Sequence, residues 1–213
     1  KNYWKMALIS VLIAAFLYFR CDGRTTVASL LIFLTGIAIC YIIKKWVGLN
    51  KRIEWLLVDI CESFIVIASF VLGWLYNKYI IGLNDVLSDR LKYIAQTMST
   101  YNIKLWGQYI EEHGNGGSII AKDNYFFIDN SFVRCMYEYG AIVFVLVIVL
   151  IFMAQKKMLD NEKYIMCLAF FIVTIASFAE HHLLEIAYNP FIFSVFACMS
   201  NNDKVIMEEK RIC

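Results

Sequence analysis

Two arginines, Arg90 and Arg134, and a group of acid and imidazole side chains, Asp129, Glu180, His181 and His182, are the residues of this 213-residue chain best suited to chemistry. The planar fork of arginine grips phosphate oxygens in pairs and stays charged at any physiological pH. A carboxylate or imidazole at a half-dry boundary has its pKa moved towards neutrality, where it serves as a general base. Together they suit transfer from a phosphorylated carrier: a cation beside the leaving phosphates and a base for the incoming hydroxyl. Each residue also fits a plainer role. Arg134 fits snorkelling, or an i,i+4 pair with Glu138. Arg90 fits a solvated helix face. Asp129 fits a helix cap. The Glu180-His181-His182 corner fits an interfacial turn. Adjacent histidines rarely converge on one ion, so no metal and no cofactor are expected. The seven cysteines are scattered, without the paired spacing of a metal or redox motif.

The elements that must position these groups are apolar. Residues of the AVILMFWYC set make up 61% of the chain, charged residues 18% and aromatic residues 16%, with a single proline. A soluble globule of this size lacks the interior for that much apolar surface. The composition excludes a disordered chain and a disulfide-stapled secreted domain, and a net charge of +2 gives no reason to expect nucleic acid. The expected fold is all-α: a polytopic transmembrane helical bundle with six spans, at 3–19, 25–43, 53–76, 132–154, 164–179 and 183–199. The domain plan is three spans in 1–76, an extracytoplasmic loop at 77–131, three further spans in 132–199 and a cytoplasmic tail at 200–213. Asp59 and Glu62 fall mid-span on one helix face, which suggests an ion path or a basic partner. The Lys and Arg residues at 44–52, 156–163 and 204–211 share one side of a six-span chain and mark it as cytoplasmic. Arg20 and Arg24 fall on the other side.

The long loop and the Glu180–His182 corner then share the outer face. Leu83, Leu87, Leu91, Ile94 and Met98 recur at helical spacing after a cap at Asn84 or Asp85, which predicts an amphipathic helix lying at the membrane surface. A turn is expected at 102–108 and a glycine-rich linker at 113–118. Tyr125, Phe126 and Phe127 fit stacking on sugars or packing on lipid.

Several of these segments resemble a family in their order. Residues 83–91, ending Ser88-Asp89-Arg90, the glycine-containing turn at 101–108, Ile128-Asp129-Asn130-Ser131-Phe132 with Gly140 further on, and Glu180-His181-His182 with Glu185 and Asn189-Pro190 resemble the bacterial polysaccharide polymerases of the Wzy type. These belong to the O-antigen ligase and polymerase superfamily. The resemblance runs from about Leu83 to Phe196. Two positions depart from the family pattern: Asp129 stands where the ligase-like motif has His, and Ser88-Asp89-Arg90 where Ser-Gly-Arg is usual. Members are longer, so the chain, which starts at Lys1, looks like a C-terminal part. The resemblance implies a multi-pass enzyme of the bacterial cytoplasmic membrane with its active face outside. Such an enzyme moves a growing glycan from an undecaprenyl-diphosphate carrier onto a lipid-linked repeat unit. It implies Asp129, Glu180 and His181 as catalytic residues and Arg90, Arg134 and Asn130 as substrate contacts. Its partners would be the undecaprenyl-diphosphate-linked oligosaccharide, the lipid bilayer and other glycan-export or chain-length proteins. A ligase-like transferase and a flippase or transporter are the alternatives.

Overall fold

The two longest helices are built from the most apolar stretches. The computed structural model describes residues 50–79, 90–113 and 125–185, with scattered helical positions between 12 and 36. In it α1 runs Lys51–Tyr79, α2 Arg90–Thr100, α3 Ser131–Arg134, α4 Ala141–Asp160 and α5 Tyr164–Ala176. A π-helical turn, Cys135–Tyr139, follows α3. A 3-10 turn, His182–Leu184, follows α5. Among the described residues there is no strand, only an isolated antiparallel bridge between His113 and Phe126. Most of the expected spans at 3–19 and 25–43, the sixth beyond residue 185, and the tail lie outside the described residues.

Two helices, α1 and α4, are long and apolar enough to cross a membrane. At about 1.5 Å per residue the 20 residues of α4 match the roughly 30 Å hydrocarbon thickness of a bilayer. Their exposure sets them apart from core helices of a soluble domain. On α1, Ile53, Leu56, Leu57, Ile60, Phe64, Ile67, Val71 and Trp74 stay exposed. They recur every three or four residues and form one continuous apolar face. On α4, Val145, Leu146, Val149, Leu150 and Met153 do the same. Contiguous apolar faces of this size are rare on soluble monomers. At 13 residues α5 is shorter than the expected span at 164–179 and too short to cross unaided.

The expected fourth span at 132–154 is divided. Gly140 takes φ +97°, and its amide bonds back to Cys135 O at 3.0 Å, which closes the π turn. α4 therefore starts afresh at Ala141. Its first amides find carbonyls of the 102–108 loop: Ala141 N donates to Lys104 O at 3.0 Å and Ile142 N to Leu105 O at 3.3 Å. These would otherwise be unsatisfied at a helix start. Gly107, at φ +82°, is where the loop crosses the backbone of Glu138 and Tyr139, so a Cβ on either glycine would strike main chain.

The helix with the leucine stripe is not a surface element. Leu91 and Ile94 are each 1% exposed, packed with Phe70, Leu72 and Tyr76 of α1. The apolar stripe expected to face lipid is thus buried against protein, since α1 offers it a matching groove at Gly73. Leu83 and Leu87 lie outside the described residues. A second core joins Phe132, Ile151, Ala154, Met158, Phe170 and Leu183, between α3, α4, α5 and the final corner.

The mid-helix acids of α1 have partners on α4. Lys156 Nζ lies 2.9 Å from Asp59 Oδ2. Gln155 donates to Glu62, and both side chains are buried. Lys51 Nζ reaches Asp160 O at 3.4 Å. The start of α1 and the end of α4 therefore lie together, and the polar groups of the loop gather at the opposite end.

A Cβ on Gly73 would collide with the buried Ile94 methyl of α2. Gly73→Ala is expected to lower stability by about 1–3 kcal/mol, as overpacking does. Adding Ile94→Ala should cost less in the Gly73→Ala background than in the parent, because the two substitutions share one gap. Thermal unfolding of the four proteins in detergent checks this.

Candidate functional site

Local structure begins with Asn130. Its backbone is extended, its Oδ1 accepts from Phe132 N and Val133 N at 3.0 Å each, and its Nδ2 donates to Phe178 O at 2.8 Å. Asn130 is therefore the cap of α3, a role that from sequence alone is an alternative for Asp129. At 1% exposure, with donor and acceptor both in use, its side chain is committed to the fold and not placed for the substrate contact expected of it. Ser131 N donates to Ser177 O at 2.9 Å, Ser131 Oγ donates to Glu180 O and accepts from Leu183 N. These bonds strap the 177–183 corner to the 129–131 segment. Glu180 and His181 are thereby held beside Asp129, about fifty residues away in sequence.

The strap leaves an ion-pair cluster. Arg90, at the first turn of α2, places Nε 3.5 Å from Asp129 Oδ2 and Nη2 3.3 Å from Glu180 Oε1. The other oxygen of Asp129 lies 3.8 Å from His181 Nδ1, and His181 Nε2 lies 3.4 Å from Glu185 Oε1. His182 Nδ1 is 3.2 Å from Glu185 Oε2. The two imidazole rings are 3.9 Å apart. Arg90, Asp129, Glu180, His181 and His182, all candidates from sequence, thus meet in one place.

Arg134 sits next to them in a tighter setting. Its Nη2 donates to both oxygens of Glu112 at 2.6 and 2.7 Å, its Nη1 to Glu138 Oε2 at 3.3 Å and its Nε to Ile128 O at 3.1 Å. The guanidinium carbon is 4.8 Å from the Phe127 ring centre, and the edge of that ring meets His181 at 4.9 Å. With an 11% exposed side chain, Arg134 is ringed by acceptors of its own chain. Glu138 is the i,i+4 partner read from sequence. Glu112 carries no local signal, being 22 residues distant in the chain. Phe126 and Phe127 are buried in this frame, exposed to neither lipid nor solvent.

Burial pushes the Asp129 carboxyl above its ordinary value, with Arg90 pulling down against it and Glu180 adding to the rise. Burial likewise raises Glu138 against the pull of Arg134. Burial lowers His181, helped by the neighbouring His182 and Arg134, which favours its neutral ring. Chemically, the cluster combines a partly exposed arginine, a carboxylate of raised basicity and an imidazole shifted towards its neutral form.

The fold and site define a helical chain with two helices of bilayer-crossing length and a half-buried ion-pair cluster at one end of them. Comparisons with protein-family profiles, curated proteins and solved structures find no match.

Two outcomes follow from the Arg134 frame. Glu112→Gln leaves a largely buried guanidinium with Glu138 as its remaining close counter-charge, and should cost about 3 kcal/mol. Arg134→Lys has one nitrogen in place of the three that serve Glu112, Glu138 and Ile128 O, and should lose a comparable amount. Urea unfolding in mild detergent reads both. A carboxyl with its folded pKa raised binds more protons folded than unfolded. The contribution of Glu138 to stability is therefore greatest below its unfolded value and falls as pH rises towards the folded one. Glu138→Gln should flatten that part of the pH slope, measured as the change in urea midpoint between acidic and neutral buffer.

Proposed function

We propose that this chain works as a membrane-embedded glycan transferase of the polysaccharide polymerase kind, with its active face outside the bacterial cytoplasmic membrane. The supporting observation is the convergence of Arg90, Asp129, Glu180 and His181 from three separate segments, at the end of α1 and α4 away from Lys51 and Asp160. In this reading α1 and α4 are two of six spans, and the lysine-rich ends face the cytoplasm.

The substrate is a glycan linked through diphosphate to an undecaprenyl carrier. The hydroxyl of a second lipid-linked unit attacks the anomeric carbon. A new glycosidic C–O bond forms and the bond to the diphosphate oxygen breaks, the electron pair leaving with the lipid diphosphate. Arg90 steadies that diphosphate. Its bonds to Asp129 and Glu180, at 3.5 and 3.3 Å, are long enough to be exchanged for phosphate oxygens. Asp129 takes the hydroxyl proton, and His181 fixes its orientation from the other side. Arg134 holds the frame through Glu112, Glu138 and Phe127 and leaves the phosphate to Arg90. A ligase-like transferase would use the same groups and differ in its acceptor.

The loop at 102–109 fits the bilayer setting. Ile103, Leu105, Trp106 and Tyr109 are 52%, 63%, 83% and 87% exposed, on backbone fixed by Gly107 to the start of α4. A rigid loop tip of apolar and aromatic side chains beside a bilayer-length helix suits the interfacial belt, where amphipathic rings sit at headgroup level.

In a strain lacking its own copy, Arg90→Ala is expected to abolish long-chain surface glycan and leave single repeat units on the carrier, with the protein still in the membrane. Arg90→Lys should restore little, since a lysine offers one charged point in place of a fork. An unchanged chain-length distribution in Arg90→Ala overturns the reading. The setting is tested separately. A chain keeping Trp106 as its only tryptophan, in vesicles of brominated phosphatidylcholine, should be quenched more strongly by shallow than by deep bromines. Emission as in water, untouched by either, counts against the interfacial placement.

A further inference from the structure

We propose that His181, His182 and Glu185 form a binding site for one divalent cation of the zinc class. One donor atom from each of the three lies within 4.8 Å of the other two. A tetrahedral zinc with bonds of about 2.0–2.1 Å spaces its ligand atoms roughly 3.3 Å apart. Glu185 approaches that spacing with one oxygen towards each ring, Oε1 3.4 Å from His181 Nε2 and Oε2 3.2 Å from His182 Nδ1, so that a bound ion draws the three donors together from a spread of up to 4.8 Å. The backbone explains why. His182–Leu184 is a 3-10 turn closed by Glu185 N donating to His182 O at 3.2 Å. Residues three apart eclipse in such a turn, so His182 and Glu185 point the same way. Leu183 N is pinned to Ser131 Oγ at 3.2 Å, which fixes the turn against α3.

Two further observations point to a cation. His181 Nδ1 is buried without a hydrogen-bond partner, 3.8 Å from Asp129 Oδ1. A metal on Nε2 places the proton on Nδ1, facing that carboxylate. This is the carboxylate–histidine–metal arrangement that orients ligating imidazoles. The described cluster also holds more negative than positive charge: Glu112, Asp129, Glu138, Glu180 and Glu185 against Arg90 and Arg134. A doubly charged ion removes most of that excess. Two imidazoles and a carboxylate select zinc and its first-row neighbours over magnesium and calcium, which prefer all-oxygen shells. Three protein ligands leave a coordination position open. The binding itself is independent of the transferase reading. Only its use, as a second positive centre for a diphosphate beside Arg90, rests on that reading.

The test uses the full chain in detergent, stripped with EDTA and titrated with Co²⁺ as a coloured stand-in for zinc. One Co²⁺ per chain should bind with visible d–d bands, one Zn²⁺ should displace it, and excess Mg²⁺ should not. Asp129→Asn should weaken cobalt binding by about 10–100-fold, the usual effect of removing a carboxylate behind a ligating histidine. His182→Ala and Glu185→Gln should each abolish the bands. Glu185 is 40% exposed, so its substitution is tolerated by the fold. Helix content and thermal midpoint of each stripped variant, matched to the stripped parent, separate lost ligation from lost structure. Absence of the bands in the parent, displacement by Mg²⁺, or bands indifferent to both His182→Ala and Glu185→Gln overturns the site. None of these readouts involves a glycan, so failure of the site and failure of the transferase reading remain distinct.

Discussion

The ion pair between Arg134 Nη2 and the two carboxylate oxygens of Glu112 is the contact on which the polar end of this molecule depends. Glu112 also accepts from Ile128 N at 2.9 Å, and Arg134 donates to Ile128 O at 3.1 Å. One residue pair thus ties the segment before the 114–124 region to the segment after it and to α3. Phe127 closes the assembly by lying between the guanidinium and His181. A charged group so enclosed is stable only while its counter-charge and acceptors are all present. The geometry of Asp129, one residue beyond Ile128, is inherited from that enclosure.

This sets a division between the two arginines. Arg134 has its donors turned inward and fixes shape. Arg90, in the first turn of α2, has a side chain 24% exposed and makes two longer contacts to carboxylates. Two arginines that look alike in sequence thus occupy unlike electrostatic settings. What separates them is the distance and number of their acceptors, which no local spacing encodes.

Much of the architecture was legible because the apolar runs are long. α1 follows the expected span at 53–76 closely, and the break at 160–163 falls where Gln155–Lys163 turns basic. The leucine stripe correctly announced a helix through Leu91, Ile94 and Met98, but periodicity says only that one face is apolar, not whether lipid or protein covers it. The gap at Gly73 on α1 settles that, and it is visible only once the two helices are side by side. The division of the fourth span was hidden for a similar reason. Gly140 stood out in sequence only as part of a motif, not as a helix break, whereas its positive φ accompanies the close approach of Gly107, 33 positions earlier in the chain. In the cluster, the acids and histidines stood out by type. Glu112 did not, because its meaning comes entirely from a long-range partner.

The pairing of α1 with α4 bears on how the chain is built. α1 emerges during synthesis with Asp59 and Glu62 in the middle of an apolar segment, and the Gln155 and Lys156 that answer them come more than ninety residues later. An insertion machinery that weighs segments singly sees a carboxylate at a helix centre as a penalty of about 2.5–3.5 kcal/mol. In the proposed membrane setting α1 alone would carry these acids unanswered until Gln155 and Lys156 of α4 and Thr174 of α5 follow. Seating of α1 in a bilayer would then be coupled across the intervening loop, with late-synthesised side chains answering the acids of an early helix.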